Sequence, residues 1–189
     1  MTKILFVCHG NICRSTMAEY VMKHLVKQAG VEEEFCIDSA ATSTEEIGNP
    51  VHHGTRRKLA QVGIPCGDHR ARQVTWRDYE KFDYIIGMDN ANIRNLRRML
   101  NNDPEGKIYK MLWFANRGKM GSPESRKAAF WGEEEQGSGA RNGRQGVSSR
   151  SGLCDDEVAD PWYTGDFEAT YRDVLEGCQG LLRELSAKQ

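Results

Sequence analysis

Short apolar runs alternate along the chain with segments whose apolar residues recur at helical spacing. The first run, Ile4 to Val7, is β-prone and stops at a cysteine, so Cys8 is predicted at the carboxyl end of a strand. From residue 15 onward the apolar positions favour a helix, which ends near Gln28 because Gly30 stops it. The amino-terminal pattern is therefore strand, tight loop and helix.

The alternation continues to the end of the chain. Further strands are predicted at Phe35 to Asp38 (ending in Ser39), Tyr84 to Ile86 (closing at Met88) and Lys107 to Trp113. Further helices are predicted from Asn49-Pro50 to near Gly63, after a capping box of Thr75 and Asp78, after a cap at Asp89, and after a cap at Asp166. This order predicts a doubly wound, flavodoxin-like α/β fold, with a four-stranded parallel sheet covered by helices on both faces. Ligands bind such sheets beyond the carboxyl ends of the strands, where Cys8, Ser39 and Asp89 fall.

Residues 116–157 differ in composition from the rest. These 42 residues include eight Gly, six Ser and one Pro, with acidic and basic residues roughly balanced. Such a composition is typical of a loop rather than of a core. We therefore expect one domain over 1–189 with a low-complexity insertion at about 116–157. Two interpretations stay open inside it: a brief helix from Ser122-Pro123-Glu124 to Phe130-Trp131, or a flap without structure.

Size and charge narrow the class of protein. The 189 residues suit one domain with a sizeable core, and the net charge of -1, without a long basic run, argues against nucleic acid as a partner. The first apolar run is too short for a secretory signal, and no run approaches the ~20 apolar residues of a membrane span, so a cytoplasmic location is expected. Six cysteines (8, 13, 36, 66, 154 and 178) are scattered rather than arranged as a disulfide framework. No His and Cys spacing indicates a metal site, and no cofactor is expected.

The loop after the first strand carries the candidate chemistry. Gly10 and Asn11 permit unusual backbone angles, so the N–H groups of residues 9–14 can point at one anion, with the helix dipole adding positive potential. Arg14 lies at the mouth of the helix, where its planar fork can take two oxygens of a phosphoryl group. The same surroundings favour the thiolate of Cys8. The loop is therefore a candidate phosphate cradle built around a nucleophile.

The spacing Cys-x5-Arg-Ser from Cys8 to Ser15, together with Asp160-Pro161-Trp162-Tyr163, resembles the low-molecular-weight protein tyrosine phosphatase family. The resemblance covers roughly residues 3–115 and 157–186. Other matching stretches are Asp38 to Ser43, Ile47 to Pro50, His69 with Ala71 to Thr75, and Phe82 to Tyr84 leading to Met88-Asp89. The insertion departs from the family, which has only a short connection there.

The resemblance implies metal-independent hydrolysis of phosphotyrosine through a phosphocysteine intermediate. Cys8 would attack the phosphorus, while Arg14 and the loop amides hold the phosphoryl oxygens. Asp160 would protonate the leaving oxygen and then act as base toward water. Ser15 would donate a hydrogen bond to the sulfur and help it leave. The expected partners are phosphotyrosine-containing proteins or aryl phosphates, with inorganic phosphate as product.

The resemblance also assigns binding and supporting residues. Those expected at the substrate are His9, Gly10, Asn11, Ile12, Cys13, Ser15, Glu45, Trp162 and Tyr163. Asn11, Ser39 and His69 would form a network that holds the loop in a left-handed conformation. Cys13 would trap oxidised Cys8 as a reversible disulfide, for which a curled loop brings the Cα atoms close enough.

The residues around the loop indicate which phosphorylated side chain the site prefers. Trp162 and Tyr163 would line a deep slot that suits phosphotyrosine better than the shorter phosphoserine. Relatives directed at phosphoarginine carry threonine where this chain has Ile12, which favours tyrosine. Glu45 stands where relatives often have an aromatic wall, and His9 replaces a usual apolar residue; an acidic rim of Glu45 and Glu46 would prefer peptides with basic neighbours.

Other functions fit parts of the pattern. A phosphate-binding module without turnover would keep the cradle but not the acid. A thioredoxin-coupled arsenate reductase would need further cysteines, and residues 67–153 contain none. A phosphocysteine carrier would need neither Arg14 nor Asp160. The sequence leaves the physiological substrate, the oligomeric state and the role of the insertion open.

Overall fold

The computed structural model describes residues 1–116 and 156–187, which contain a sheet of four parallel strands. The strands are β1 (Thr2–Cys8), β2 (Phe35–Ala41), β3 (Tyr84–Gly87) and β4 (Ile108–Lys110), in the spatial order β2-β1-β3-β4. β1 lies between β2 and β3, with Cys8 opposite Ala41. The predicted four-stranded parallel α/β fold is confirmed.

Helices cover both faces of this sheet. They are α1 (Arg14–Gln28), α2 (His53–Gln61), α3 (Trp76–Lys81), α4 (Asn90–Met99), α5 (Met111–Asn116), α6 (Pro161–Thr164) and α7 (Phe167–Ser186). On one face Ile4 and Phe6 of β1 pack with α1, α5 and α7; on the other, Leu5 and Val7 pack with α3 and α4. Alternate residues of β1 thus enter two cores, which explains why the strand reads as one continuous apolar run.

Most of the predicted helix boundaries are confirmed. Asp89 Oδ1 accepts from the N–H of Asn92 at 2.6 Å, and Asp166 Oδ1 accepts from the N–H of Ala169 at 2.9 Å. Thr75 and Asp78 form the capping box of α3. α1 ends before Gly30, whose φ is +69°. These capping residues and the glycine after α1 act on residues close to them in sequence, so they could be interpreted from the sequence alone.

The predicted start of α2 at Asn49-Pro50 is wrong by three residues. Asn49 cannot cap a helix there, because its carbonyl accepts from the N–H of Ala71 at 2.9 Å and its amide donates to Glu46 Oε2 at 2.6 Å. The N-cap is His52, whose Nδ1 accepts from the N–H of Gly54 at 3.1 Å. The hydrogen bond to residue 71, which is distant in sequence, thus prevails over the local capping preference of Asn49.

The fourth strand was predicted to extend to Trp113, but it ends at Lys110, and Met111–Asn116 form α5. As a helix this segment buries Met111, Leu112 and Phe114 and packs along α7. Glycine in α7 permits the approach, since a Cβ on Gly180 would lie 2.3 Å from the backbone oxygen of Phe114. Short apolar runs do not separate strand from helix by periodicity, and the partner helix decides here. β2, in turn, extends past Ser39 to Ala41 by pairing with β1.

The predictions for residues 117–155, including the brief helix from Ser122, lie outside the described residues. The chain after them is attached to the end of β3. Val158 N–H donates to Met88 O at 2.9 Å, and Glu157 Oε1 accepts from the N–H of Asn90 at 2.9 Å. None of the helices in the described parts of the chain has the length and apolar character needed to cross a membrane.

Candidate active site

The conformation of the loop between β1 and α1 depends on Asn11, a buried residue with a left-handed φ of 58°. Its side-chain amide donates to Ser39 Oγ at 2.8 Å and to Ser15 Oγ at 3.0 Å, and its Oδ1 accepts from the N–H of Arg72 at 3.1 Å. Asparagine tolerates this backbone region better than most residues. Three separate segments therefore hold the one strained position of the loop.

His69 and Glu19 lie behind Asn11. The Nε2 of His69 is 3.0 Å from Asn11 O, and since a carbonyl only accepts, Nε2 carries the proton. Glu19, which is 4% exposed, accepts from Ser39 Oγ at 2.6 Å, and its Oε2 is 3.8 Å from His69 Nδ1. The structure thus brings Asn11, Ser39 and His69 together. Sequence reasoning missed Glu19, although a carboxylate one turn after Ser15 on the buried face of α1 was a signal for it.

The sulfur of Cys8 lies at the carboxyl end of β1 and is almost fully buried. Ser15 Oγ is 3.1 Å from the sulfur, and the N–H of Asn11 donates to it over 3.3 Å. α1 begins at Arg14 and directs the positive end of its dipole to the same place. Hydrogen bonds and a positive potential both stabilise a thiolate.

Arg14 is 4% exposed and bridges two carboxylates. Nη1 donates to Asp89 Oδ2 and Nη2 pairs with Asp160 Oδ2, both at 2.6 Å. Burial alone would lower the pKa of the guanidinium, but the negative charges of Cys8, Asp160 and Asp89 outweigh it, so the pKa lies above its ordinary value. Arg14 is a fixed cation beside the sulfur. The contact by which Asp89 holds Arg14 was not predicted, although the position of Asp89 just after β3 was a signal for a role at the site.

Asp160 lies at the N-terminus of α6, where Oδ1 accepts from the N–H of Trp162 at 3.1 Å. The segment before it is fixed to α7, since Ala159 N–H donates to Asp173 Oδ2 at 3.0 Å and Thr170 Oγ1 donates to Ala159 O at 2.9 Å. Pro161 stiffens the next position. The carboxylate is therefore held beside Arg14 by contacts from both sides.

These elements enclose a cavity of about 140 Å³ over the sulfur, which we call the catalytic pocket. Its lining comprises Cys8, His9, Gly10, Ile12, Cys13, Arg14, Glu45, Glu46, Asp160, Trp162 and Tyr163. Of the other residues assigned to the site, Asn11, Ser15, Ser39 and His69 lie behind the loop rather than in the lining. At the rim, His9 Nε2 is 3.0 Å from Glu45 Oε2, and Tyr163 is 85% exposed.

Cys13 is the second thiol of the loop. Burial, reinforced by the negative charge of Cys8, raises the pKa of Cys13 to about 12, so it is a neutral thiol at pH 7. The loop therefore holds two cysteines in different surroundings. Hydrogen bonds reach the sulfur of Cys8, whereas burial dominates at Cys13 and outweighs the opposing effect of the Thr55 side chain.

Fold and site together define a class: a doubly wound α/β protein with a cysteine at the base of an anion cradle, flanked by an arginine and an aspartate. Comparison with known proteins gives the family. The family model described as "Low molecular weight phosphotyrosine protein phosphatase" matches residues 3–123. The chain belongs to this family, and it is an enzyme of the hydrolase class.

Individual relatives agree with this assignment. The low molecular weight protein-tyrosine-phosphatase YfkJ of Bacillus subtilis is 34% identical over 189 residues, which cover 100% of this chain and 99% of the relative. The low molecular weight phosphotyrosine protein phosphatase of Gallus gallus is 51% identical over 98 residues, 52% of this chain and 61% of the relative. The crystal structure of YfkJ superposes with a TM-score of 0.77 at 33% identity and covers 100% of this chain and 97% of that one.

Proposed function

We propose that this phosphatase hydrolyses phosphotyrosine through a phosphocysteine formed on Cys8. One observation carries the proposal: Cys8, whose sulfur accepts from the Asn11 N–H and contacts the Ser15 hydroxyl, lines one cavity together with Arg14 and Asp160. A nucleophile, a charge clamp and a proton donor are the three groups that phosphoester hydrolysis needs.

In the first step the phosphoryl group lies in the loop, with its oxygens on Arg14 and on backbone N–H groups of the loop other than that of Asn11, which donates to the sulfur. The Cys8 thiolate attacks phosphorus and forms the S–P bond as the P–O bond to the aryl group breaks. Asp160, protonated, transfers its proton to the leaving oxygen. The products are the phenol and phosphocysteine, with Asp160 now ionised.

In the second step a water molecule attacks phosphorus. Asp160 accepts a proton from this water, and the S–P bond breaks as the new P–O bond forms. The sulfur departs as a thiolate, which the Ser15 hydroxyl and the Asn11 N–H stabilise over 3.1 and 3.3 Å. Inorganic phosphate leaves, and the site returns to its starting protonation.

The ion pair between Arg14 and Asp160 links the acid to the phosphate clamp. Without substrate, Arg14 Nη2 is 2.6 Å from Asp160 Oδ2. An entering phosphoryl group binds the same guanidinium, so it lies next to the carboxyl group that protonates the leaving oxygen.

Depth and wall composition support an aryl substrate. Cys8 is 3% exposed as a residue, whereas Trp162 and Tyr163 are 60% and 85% exposed at the rim, so a phosphoryl group must be carried inward on a long side chain. Ile12 adds an apolar wall. Tyrosine has the length and the flat apolar ring for this slot, and serine is too short. The carboxylates of Glu45 and Glu46 at the rim favour basic residues next to them in the substrate.

Steady-state hydrolysis of p-nitrophenyl phosphate tests the proposal. We expect turnover that persists with a metal chelator, is inhibited by vanadate and is lost in Cys8→Ser. Cys66→Ser is the matched control, because Cys66 is a half-buried free thiol outside the catalytic pocket. Binding of vanadate without turnover in the wild type would instead indicate a phosphate-binding module. Peptides with phosphotyrosine, phosphoserine and phosphoarginine then test the substrate class, and faster hydrolysis of either of the last two would contradict it.

A further inference from the structure

A second concavity, which we call the flanking groove, adjoins the catalytic pocket. It encloses about 530 Å³ and is more open than the catalytic pocket. Its lining comprises Ile12, Glu46, Asn49, Pro50, Val51, His52, His53, Arg56 and Trp162. Most of these residues precede or begin α2, and Trp162 belongs to α6.

The flanking groove shares a boundary with the catalytic pocket. Ile12, Glu46 and Trp162 line both spaces, so these three side chains lie between them. A peptide chain with its phosphotyrosine over Cys8 must leave the catalytic pocket along its rim. The flanking groove gives this chain an apolar path over Pro50 and Val51.

The shape of the flanking groove is set by packing around His52. Its ring stacks on Phe167 with centroids 5.4 Å apart, and its centroid is 6.1 Å from that of Trp162 in an edge arrangement. Gly54 allows the ring of Phe167 to come close, because a Cβ there would lie 2.3 Å from it. The apolar floor is therefore built before any substrate binds.

Charge is unevenly distributed along the flanking groove. Glu46 lies where it meets the catalytic pocket, and its carboxylate accepts from the Asn49 amide at 2.6 Å. Arg56 is exposed, and it lines the flanking groove but not the catalytic pocket. His52 adds no positive charge at pH 7, because burial and the neighbouring His53 lower its pKa. Arg56 thus gives the flanking groove a positive charge at a part of the lining that the catalytic pocket does not share.

We propose that the flanking groove is a subsite for an acidic residue of the peptide substrate, close in sequence to the phosphotyrosine. The methylene groups of this acidic residue lie on the apolar floor of the flanking groove, and its carboxylate pairs with Arg56. This inference rests on the proposed function, because it needs a phosphotyrosine peptide in the catalytic pocket. Together with the carboxylate of Glu45 at the rim of the catalytic pocket, it makes the site sensitive to the charge of the residues next to the phosphotyrosine.

Charge reversal on α2 tests the subsite. The variants are Arg56→Glu and, as a matched control, Arg57→Glu, which makes the same charge change at the next exposed residue of the same helix but outside the flanking groove. The substrates are p-nitrophenyl phosphate and phosphotyrosine peptides in which a single Glu or Lys is scanned through three positions on either side. The measured quantity at each position is kcat/KM for the Glu peptide divided by that for the Lys peptide.

At one scanned position we expect the wild type to prefer Glu by about three-fold, as for a partly exposed ion pair. Arg56→Glu should bring this ratio below one, while Arg57→Glu leaves it within about two-fold of the wild type, and all three proteins should hydrolyse p-nitrophenyl phosphate equally. The preference should weaken at high salt. Equal effects of the two substitutions, or no position at which the wild type prefers Glu, would overturn the subsite. A wild type inactive on p-nitrophenyl phosphate would overturn the proposed function, and the subsite with it.

Discussion

Cys13 shows how strongly the surroundings of a single residue set its chemistry. Its thiol is buried, with a pKa raised to about 12, while the Cys8 sulfur in the same loop accepts from the Asn11 N–H and lies 3.1 Å from Ser15 Oγ. We propose that peroxide oxidises Cys8, which lines the catalytic pocket, to the sulfenic acid. Cys13, after losing its proton to solvent, attacks that sulfur, and the S–S bond forms as the S–O bond breaks and water leaves. In this proposal the disulfide shields Cys8 from irreversible oxidation.

We therefore predict that Cys13→Ser loses thiol-dependent recovery. Wild-type enzyme inactivated by peroxide should regain most of its activity with dithiothreitol, whereas Cys13→Ser should regain little, because its sulfenic acid proceeds to the sulfinic acid. Recovery of p-nitrophenyl phosphate turnover measures this, with Cys66→Ser as control. Equal recovery in the wild type and Cys13→Ser would show that Cys13 only packs in the loop.

At the scale of elements, the contact between α5 and α7 depends on glycine. The backbone oxygen of Phe114 would lie 2.3 Å from a Cβ on Gly180, and backbone cannot move aside as a flexible side chain can. Alanine normally favours a helix over glycine by about 1 kcal/mol. Here the overlap dominates, so Gly180→Ala should lower the free energy of unfolding by about 1–3 kcal/mol.

Urea denaturation of Gly180→Ala and of the control Gln179→Ala measures this difference. Gln179 is the exposed neighbour on the same helix, so its substitution should change the free energy of unfolding by less than about 0.5 kcal/mol. A Gly180→Ala protein as stable as the wild type would mean that α5 shifts freely on α7, against the close approach described above.

Local signals and tertiary contacts explain which elements the sequence could predict. Asp89 and Asp166 cap their helices through bonds to residues three positions on, so the sequence neighbourhood contains the whole signal. Asn49 looked like a similar cap, but its carbonyl bonds to residue 71. Segment 111–116 looked like strand, but it is helical against α7. Both errors depend on a partner distant in sequence.

The candidate site follows the same division. The motif from Cys8 to Ser15 is contiguous, so its loop could be interpreted directly from the sequence. Glu19 and Asp89 hold Ser39 and Arg14 across the fold. Their positions on α1 and after β3 were signals of a role, but the partners lie far from them in sequence. The flanking groove could not be predicted from the sequence either, because its lining combines the start of α2 with Trp162. No pattern in the sequence predicts that contact.

On the scale of the whole molecule, the named machinery lies in residues 1–116 and 156–187, while the insertion accounts for most of the remainder. Replacing residues 117–155 by a short flexible linker should leave kcat/KM for p-nitrophenyl phosphate within about two-fold, since the nucleophile, clamp and acid are all retained. Steady-state kinetics on the intact and shortened chains measure this. A drop of ten-fold or more would show that the insertion helps to hold Asp160 or to close the catalytic pocket.

In the proposed mechanism a phosphoryl group passes through the sulfur of Cys8 on its way to water. Rapid-quench mass spectrometry during the first turnover of p-nitrophenyl phosphate detects this intermediate. We expect a phosphorylated peptide containing Cys8 to appear with the burst of p-nitrophenol and to disappear once substrate is exhausted. Turnover without any phosphorylated Cys8, or the same label in Cys8→Ser, would overturn the mechanism.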